Sequence, residues 1–170
     1  MVLNLQIPET KFFPALQRLK ECLCEELEKT GAPDVCFCGL IPAGNPPFGV
    51  LDCASNACGV AWVSPTSVFP SRQFPSPEDA GVIPCSSPLA MSISVGVARC
   101  HPRPKRGEAQ ADIQEYFEAT ALYLSDMAAM RRALVCCVKQ NPDLQVSLGT
   151  WEAIPPSGGI SGGIWTATLG

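Results

Sequence analysis

The chain is poor in charge, in histidine and in long apolar runs, and each shortage closes off a class of function. Charged residues fill 16% of its 170 positions, and the formal net charge is −4. A protein whose main task is gripping a phosphate backbone wants a basic stripe, which this balance does not supply. His101 is the single histidine, so every mechanism that needs imidazole has to use it. No stretch approaches the roughly 20 apolar residues needed to span a bilayer. The opening MVLNLQIPETKFF lacks the basic start and unbroken apolar run of a secretory signal. The expectation is a soluble protein made in a cytoplasm, with no membrane partner.

What is abundant is glycine, proline and cysteine. With 14 glycines and 17 prolines in a weakly charged chain, either the loops are long or part of the surface is covered by other subunits. The length suits one domain, residues 1–170, able to bury a core without staples. Its expected loops lie at about 42–57, 70–88 and 101–108. Ten cysteines in a chain without an export signal argue against disulfides, because cytosolic thiols stay reduced. Zinc is the sharper alternative. Cys22 and Cys24 diverge on a helix, and Cys36 and Cys38 share a strand face with too short a spacing. Cys53 and Cys58 are permissible but weak alone, and Cys136 and Cys137 diverge. The expectation is thiols used as small buried hydrophobes, with no metal and no cofactor.

Apolar periodicity places the elements. Phe12, Leu16, Leu19, Leu23 and Leu27 recur at steps of three and four, which predicts a helix from Phe12 to Lys29 with one buried stripe. Thr30-Gly31-Ala32-Pro33 stops it. Val35–Ile41 reads as a strand. Gly59–Ser64 reads as another, resuming through Ser67–Phe69 after Pro65, where proline marks an edge or a bulge. Met91–Ala98 alternates cleanly: Met91, Ile93, Val95 and Val97 face one way. Ser92, Ser94, Gly96 and Ala98 face the other, leaving a small-residue face on which something flat could lie. A long helix is expected over about 109–139, with Ile113, Phe117, Leu124, Ala128, Val135 and Val138 on its core side. Asp112, Glu115 and Glu118 near its start and Arg131, Arg132 and Lys139 near its end match the helix dipole.

The last segment alternates through Leu144, Val146 and Leu148 into Trp151, and again through Trp165, Ala167 and Leu169. Between the tryptophans lies a proline- and glycine-rich run, the pattern of a hairpin with a long or bulged tip. The order of helix, strands, long helix and terminal strand pair predicts an α+β fold, a mostly antiparallel sheet packed against two helices.

Candidate chemistry is thin. Cys100 and His101 are adjacent on a strand and point to opposite faces, a poor geometry for a dyad. Gly158-Gly159-Ile160-Ser161-Gly162-Gly163 has the composition of a phosphate loop but neither the lysine nor the helix that such a loop needs. The acidic residues of the second helix are a solvated face, and Arg103, Lys105 and Arg106 are too few for a nucleic-acid site. Nothing here points to catalysis, so a non-enzymatic protein is expected.

Three stretches carry a resemblance when taken together. Ala57-Cys58-Gly59-Val60-Ala61-Trp62-Val63 leads into Val68-Phe69-Pro70-Ser71. Val95-Gly96-Val97-Ala98-Arg99-Cys100 precedes a proline-basic turn and a long helix. Trp151, a proline-rich tip, Gly158-Gly159, Gly162-Gly163 and Trp165 close the chain. In this order they resemble the tail terminator (tail completion) proteins of long-tailed phages of actinobacteria, over most of the chain from about Val35. Relatives often carry a cysteine within the terminal glycine run, where Ile160 stands here. The resemblance implies a structural virion protein that forms a homohexameric ring on the head-proximal end of the tail tube. Such a ring ends tube polymerisation and joins the tail to the head. Implied partners are further copies of the chain, the major tail tube protein, and the connector or stopper protein. Genomic DNA would pass through the lumen without specific binding, and the protein would reside at the head–tail junction after assembly in the host cytoplasm. Trp62, Phe69, Trp151 and Trp165, with the 70–88 loop, are candidate ring contacts or supports for them. Arg103, Lys105, Arg106 and Gly159 are candidates for docking to tube or connector. The alternatives are another neck protein, a head-completion stopper or connector adaptor, a cytoplasmic zinc-binding module, or a hydrolase built on His101.

Overall fold

A computed structural model describes residues 11–42, 46–51, 53, 58–78, 81, 84, 86–104, 107, 110–137 and 144–170, with Cys137 described by its backbone alone. Helix α1 (Phe12–Glu28) is followed by strand β1 (Val35–Leu40), a single 3-10 turn at Phe48–Val50, and strands β2 (Gly59–Pro70) and β3 (Leu89–Cys100). Helix α2 (Ile113–Arg132) runs into a π-helical turn at Ala133–Cys137, and strands β4 (Val146–Ser157) and β5 (Ile160–Leu169) complete the chain. The expected α+β class stands. The five strands lie in the order β1-β2-β3-β5-β4. Only β1 runs parallel to its neighbour, and the other three pairings are antiparallel. A parallel pair needs a long crossover, and the segment between Leu40 and Gly59 serves as one.

Strand alternation sends Ala61, Val63, Ile93, Val95, Val97, Ala167 and Leu169 to one face of the sheet. Both helices cover that face. From α1 it receives Phe12, Leu16, Leu19, Leu23 and Leu27, the whole stripe read from the sequence, all buried. Pro14 sits in the first turn, where its missing N–H breaks no helical bond, and Gly31 takes the left-handed conformation (φ 68°) just beyond the C-terminus. The proline in β2 produces the expected irregularity, a shift of register between Pro65 and Ser67 within one continuous strand.

Helix α2 departs from its expected packing. Ile113 is 82% exposed, Phe117 68% and Leu124 51%, although their spacing resembles a core stripe. Other residues face inward instead: Ala129 and Met130, with Ala133 and Leu134 of the π-helical turn, enter the core, and Asp126 is buried. The helix starts at Asp112, whose side chain accepts a bond from the Gln114 amide at 3.2 Å, three residues later than the sequence pattern suggested. Its C-terminal half therefore holds it to the molecule, while its N-terminal half presents apolar side chains to solvent.

The second sheet face is also divided. Its small residues accommodate something flat, as their size predicts, and what lies there is part of the chain itself. Trp62 stands opposite Gly96 in the β2–β3 register, and any side chain at Gly96 would collide with the indole. Phe48 meets Trp62 edge-on at 5.9 Å between ring centres. Leu51, Ile154, Ile160 and Ile164 pack around the same cluster. Further along this face, Ser92, Ser147, Thr166 and Thr168 line a shallow hydroxyl-rich depression.

Candidate assembly interface

The terminal hairpin brings most of the sequence-selected residues into one structure. Its turn is tighter than expected: Gly158 and Gly159 alone form it, with φ 60° and 82°. Two successive left-handed residues match the twist of the flanking strands, which is why glycine occupies both. The prolines are not in the tip. Pro155 and Pro156 lie within β4, where the pairing with β5 shifts between Ile154 and Ser157, a bulge that removes the need for their missing donors. The second glycine pair serves close approach instead. Any side chain on Gly162 would meet the β3 backbone at Val97, and the Trp151 indole lies against Gly163.

Trp151 and Trp165 are direct cross-strand partners, and both are half-buried on the helix-covered face. Trp165 donates its indole N–H to the Met127 carbonyl at 3.2 Å, pinning α2 to β5. Trp151 packs edge-on against Tyr123 at 4.8 Å, and its Nε1 is buried without a hydrogen-bond partner. Burial also pushes the Tyr123 phenol above its ordinary pKa. The two terminal tryptophans thus clamp α2 from below. Trp62 is buried within the subunit, so it can act on a neighbour only through the surface it supports. Phe69, half-buried, lies near the end of β2 between the exposed Val68 and Pro70.

The basic turn and the glycine tip meet. Arg103 donates to the Gly158 carbonyl at 3.0 Å, and its guanidinium lies so close to Gly159 that a side chain there would strike it. The His101 amide donates to the Gly159 carbonyl at 2.8 Å, and its Nδ1 lies 3.1 Å from the Ser161 hydroxyl. Lys105 and Arg106 lie outside the described residues. The long 70–88 loop is anchored at its start: the Ser71 amide donates to the Pro88 carbonyl, and the Glu78 amide donates to the Pro70 carbonyl.

One buried charge pair was not selected from sequence. Arg99 donates Nε to Asp126 Oδ2 at 2.6 Å and Nη2 to Oδ1 at 2.9 Å, a two-pronged bridge from β3 to α2. Its third nitrogen donates to the Pro33 carbonyl at 2.7 Å, tying in the link between α1 and β1. Nothing in the spacing of these residues pairs them across 27 positions. The one available signal is an arginine near the end of an otherwise uncharged strand and an aspartate placed mid-helix.

The cysteines overturn the expectation of free, core-filling thiols. Cys24 is bonded to Cys38, Cys36 to Cys58 and Cys53 to Cys100, with Cα separations of 6.0, 5.5 and 5.5 Å, all within the range a disulfide spans. Cys22 is disulfide-bonded as well, and Cys136 is an exposed free thiol. Cys36 and Cys38 escape the shared strand face because the β1 register shifts between Val35 and Phe37. Cys38 therefore meets α1 while Cys36 meets the start of β2. In this state Cys100 is bonded and offers no thiolate for a Cys–His pair. Among the described residues, no three or more histidine, cysteine or acidic side chains gather as metal ligands, and no helix is long and apolar enough to cross a membrane.

Compared with protein-family models the chain matches none, and no curated protein matches it in sequence.

Proposed function

We propose that this chain is a structural virion protein that assembles as a ring, six copies around, on the head-proximal end of a phage tail tube. There it stops polymerisation of the tube protein and presents a surface to the connector or stopper of the head. The observation that carries this reading is where the resembling stretches fall. Gly59–Val63, Val95–Cys100 and the terminal hairpin supply β2, β3 and β5, the three consecutive central strands of the sheet. Their glycines and tryptophans are fitted to one another: Gly96 to Trp62, and Gly163 to Trp151. The motifs thus define the centre of the architecture rather than a site for small-molecule chemistry. An acidic, weakly charged chain also suits a lumen through which DNA has to slide, since a basic lining would hold the duplex by counterion release.

The disulfides fit the same life history. Thiols stay reduced during assembly in a cytoplasm and close once a released particle meets oxidising surroundings. Locating the protein at the head–tail junction is part of the proposal. Deleting its gene from a phage and imaging the tails is the test: overgrown tubes support a terminator, whereas tubes of normal length would assign the chain to another step.

A further inference from the structure

Two exposed apolar patches lie toward opposite ends of β3 and differ in character. At the Cys100 end of β3, the start of α2 is held beside the basic turn, with the Tyr116 ring 5.8 Å from that of His101. Ile113, Phe117 and Leu124 project there at helical spacing, and the chain carries no lysine, arginine or histidine between Gly107 and Met130. Asp112 and Glu118, both exposed, lie on the two flanks of this apolar strip. At the Leu89 end of β3, a strand length of about 35 Å away, Val68 is 52% and Leu89 46% exposed. Beside them runs a groove lined by Lys11, Arg72, Phe74, Pro88, Leu89 and Gly170. Arg72 holds Glu78 at 3.0 Å, and the Lys11 ammonium lies over the Phe12 ring.

We propose that the acid-flanked apolar strip of α2 docks into the Leu89 groove of a second copy of this chain, head to tail. Three features select that occupant. An apolar helix face this exposed on a domain with a well-filled core marks a contact surface. Like charges on its flanks oppose pairing of the strip with itself, which removes the two-fold alternative. The groove offers exposed apolar side chains with two cations and one carboxylate, the complement of the strip. A contact between opposite ends is heterologous, so it propagates from copy to copy and closes a ring when the rotation permits. This inference rests on the ring reading and names its surfaces.

The test uses two variants of the full chain, Phe117→Glu and Leu89→Glu, each checked for unchanged melting. Light scattering or native mass spectrometry gives the oligomeric state. Wild-type protein is expected to associate, and each variant alone is expected to lose at least about tenfold in association, the effect of one hot-spot contact. Mixed in equal amounts, the two variants should form a dimer and stop there, because each retains one intact surface. Leu124→Lys in place of Phe117→Glu should behave identically and replaces it if the first variant melts early. A mixture that stays monomeric, or a variant that assembles like wild type, overturns the surfaces while leaving the ring. A wild-type chain that remains monomeric both in solution and on tubes overturns the ring as well.

Discussion

Two helices in this molecule carry the same kind of apolar spacing and meet opposite fates. In α1 the stripe from Phe12 to Leu27 is wholly buried on the sheet, whereas in α2 the stripe of Ile113, Phe117 and Leu124 faces water. The difference lies in what fastens each helix. Hydrophobic burial along its whole length holds α1. Core burial holds α2 only at its end, through Ala129 and Met130, and the rest is held at particular points: the Arg99–Asp126 bridge, the Trp165–Met127 bond, and the packing of Tyr123 on Trp151. A helix fastened at its C-terminal end and by a few polar contacts is free to turn the apolar residues of its N-terminal half outward. Periodicity reports that a helix has an apolar face but does not say whose core that face enters.

The sharpest way to break this contrast is at the fastening of α2. Asp126→Ala leaves the Arg99 guanidinium buried beside a missing carboxylate, and the expected loss is about 3–5 kcal/mol of unfolding free energy, read from denaturant titration. Next comes a paired substitution. Leu19→Ala, fully buried in α1, should cost about 2–5 kcal/mol. Phe117→Ala in α2 should change subunit stability by no more than about 0.5 kcal/mol. Equal losses from the two would erase the distinction between the helices.

Disulfides sharpen the comparison further, because α1 is stapled through Cys24 to Cys38 and nothing equivalent among the described residues holds the start of α2. The bridge closes a loop of 14 positions. Replacing both cysteines by serine should lower stability by about 3 kcal/mol under oxidising conditions, and the difference from wild type should shrink when both proteins are reduced.

The smallest expected effect is a pH response where the two helices touch. Lys29 first, then Arg132, donate hydrogen bonds to Glu26 and hold its carboxyl below its ordinary value of 4.5. A carboxylate depressed on folding adds stability above its unfolded pKa and loses it as pH falls through the folded value. Glu26→Gln should therefore melt slightly below wild type at neutral pH and level with it well below pH 4.5. The exposure of both cations keeps the gap small.

Much of the fold was legible in the sequence for identifiable reasons. The α1 stripe, the β2 irregularity at Pro65 and the alternation of β3 are local patterns enforced by helix and strand geometry. The terminal hairpin was legible in outline. Its tip was not, because composition does not distinguish glycines that turn the chain, Gly158 and Gly159, from those that admit a neighbour, Gly162 and Gly163. The cysteine pairings could not be read because they join α1 to β1, β1 to the residue preceding β2, and the crossover to β3, contacts that exist only after the sheet assembles. A register shift at Cys36 also defeats the two-residue alternation from which its direction was inferred. Of the candidate contact residues, Trp62 turned out to lie inside the subunit. The α2 strip was assigned to the core by the same periodicity that makes it a credible surface. An apolar stripe looks alike whether it enters the subunit's own core or a neighbour's.

The central claim is that the chain acts by shape, capping a growing tube. Purified tail tube protein polymerised with and without the chain, and measured by electron microscopy, tests it most directly. The account predicts shorter tubes of narrower length distribution, each bearing a ring at one end. Tubes whose lengths do not respond to the protein, and whose ends stay bare, would contradict it.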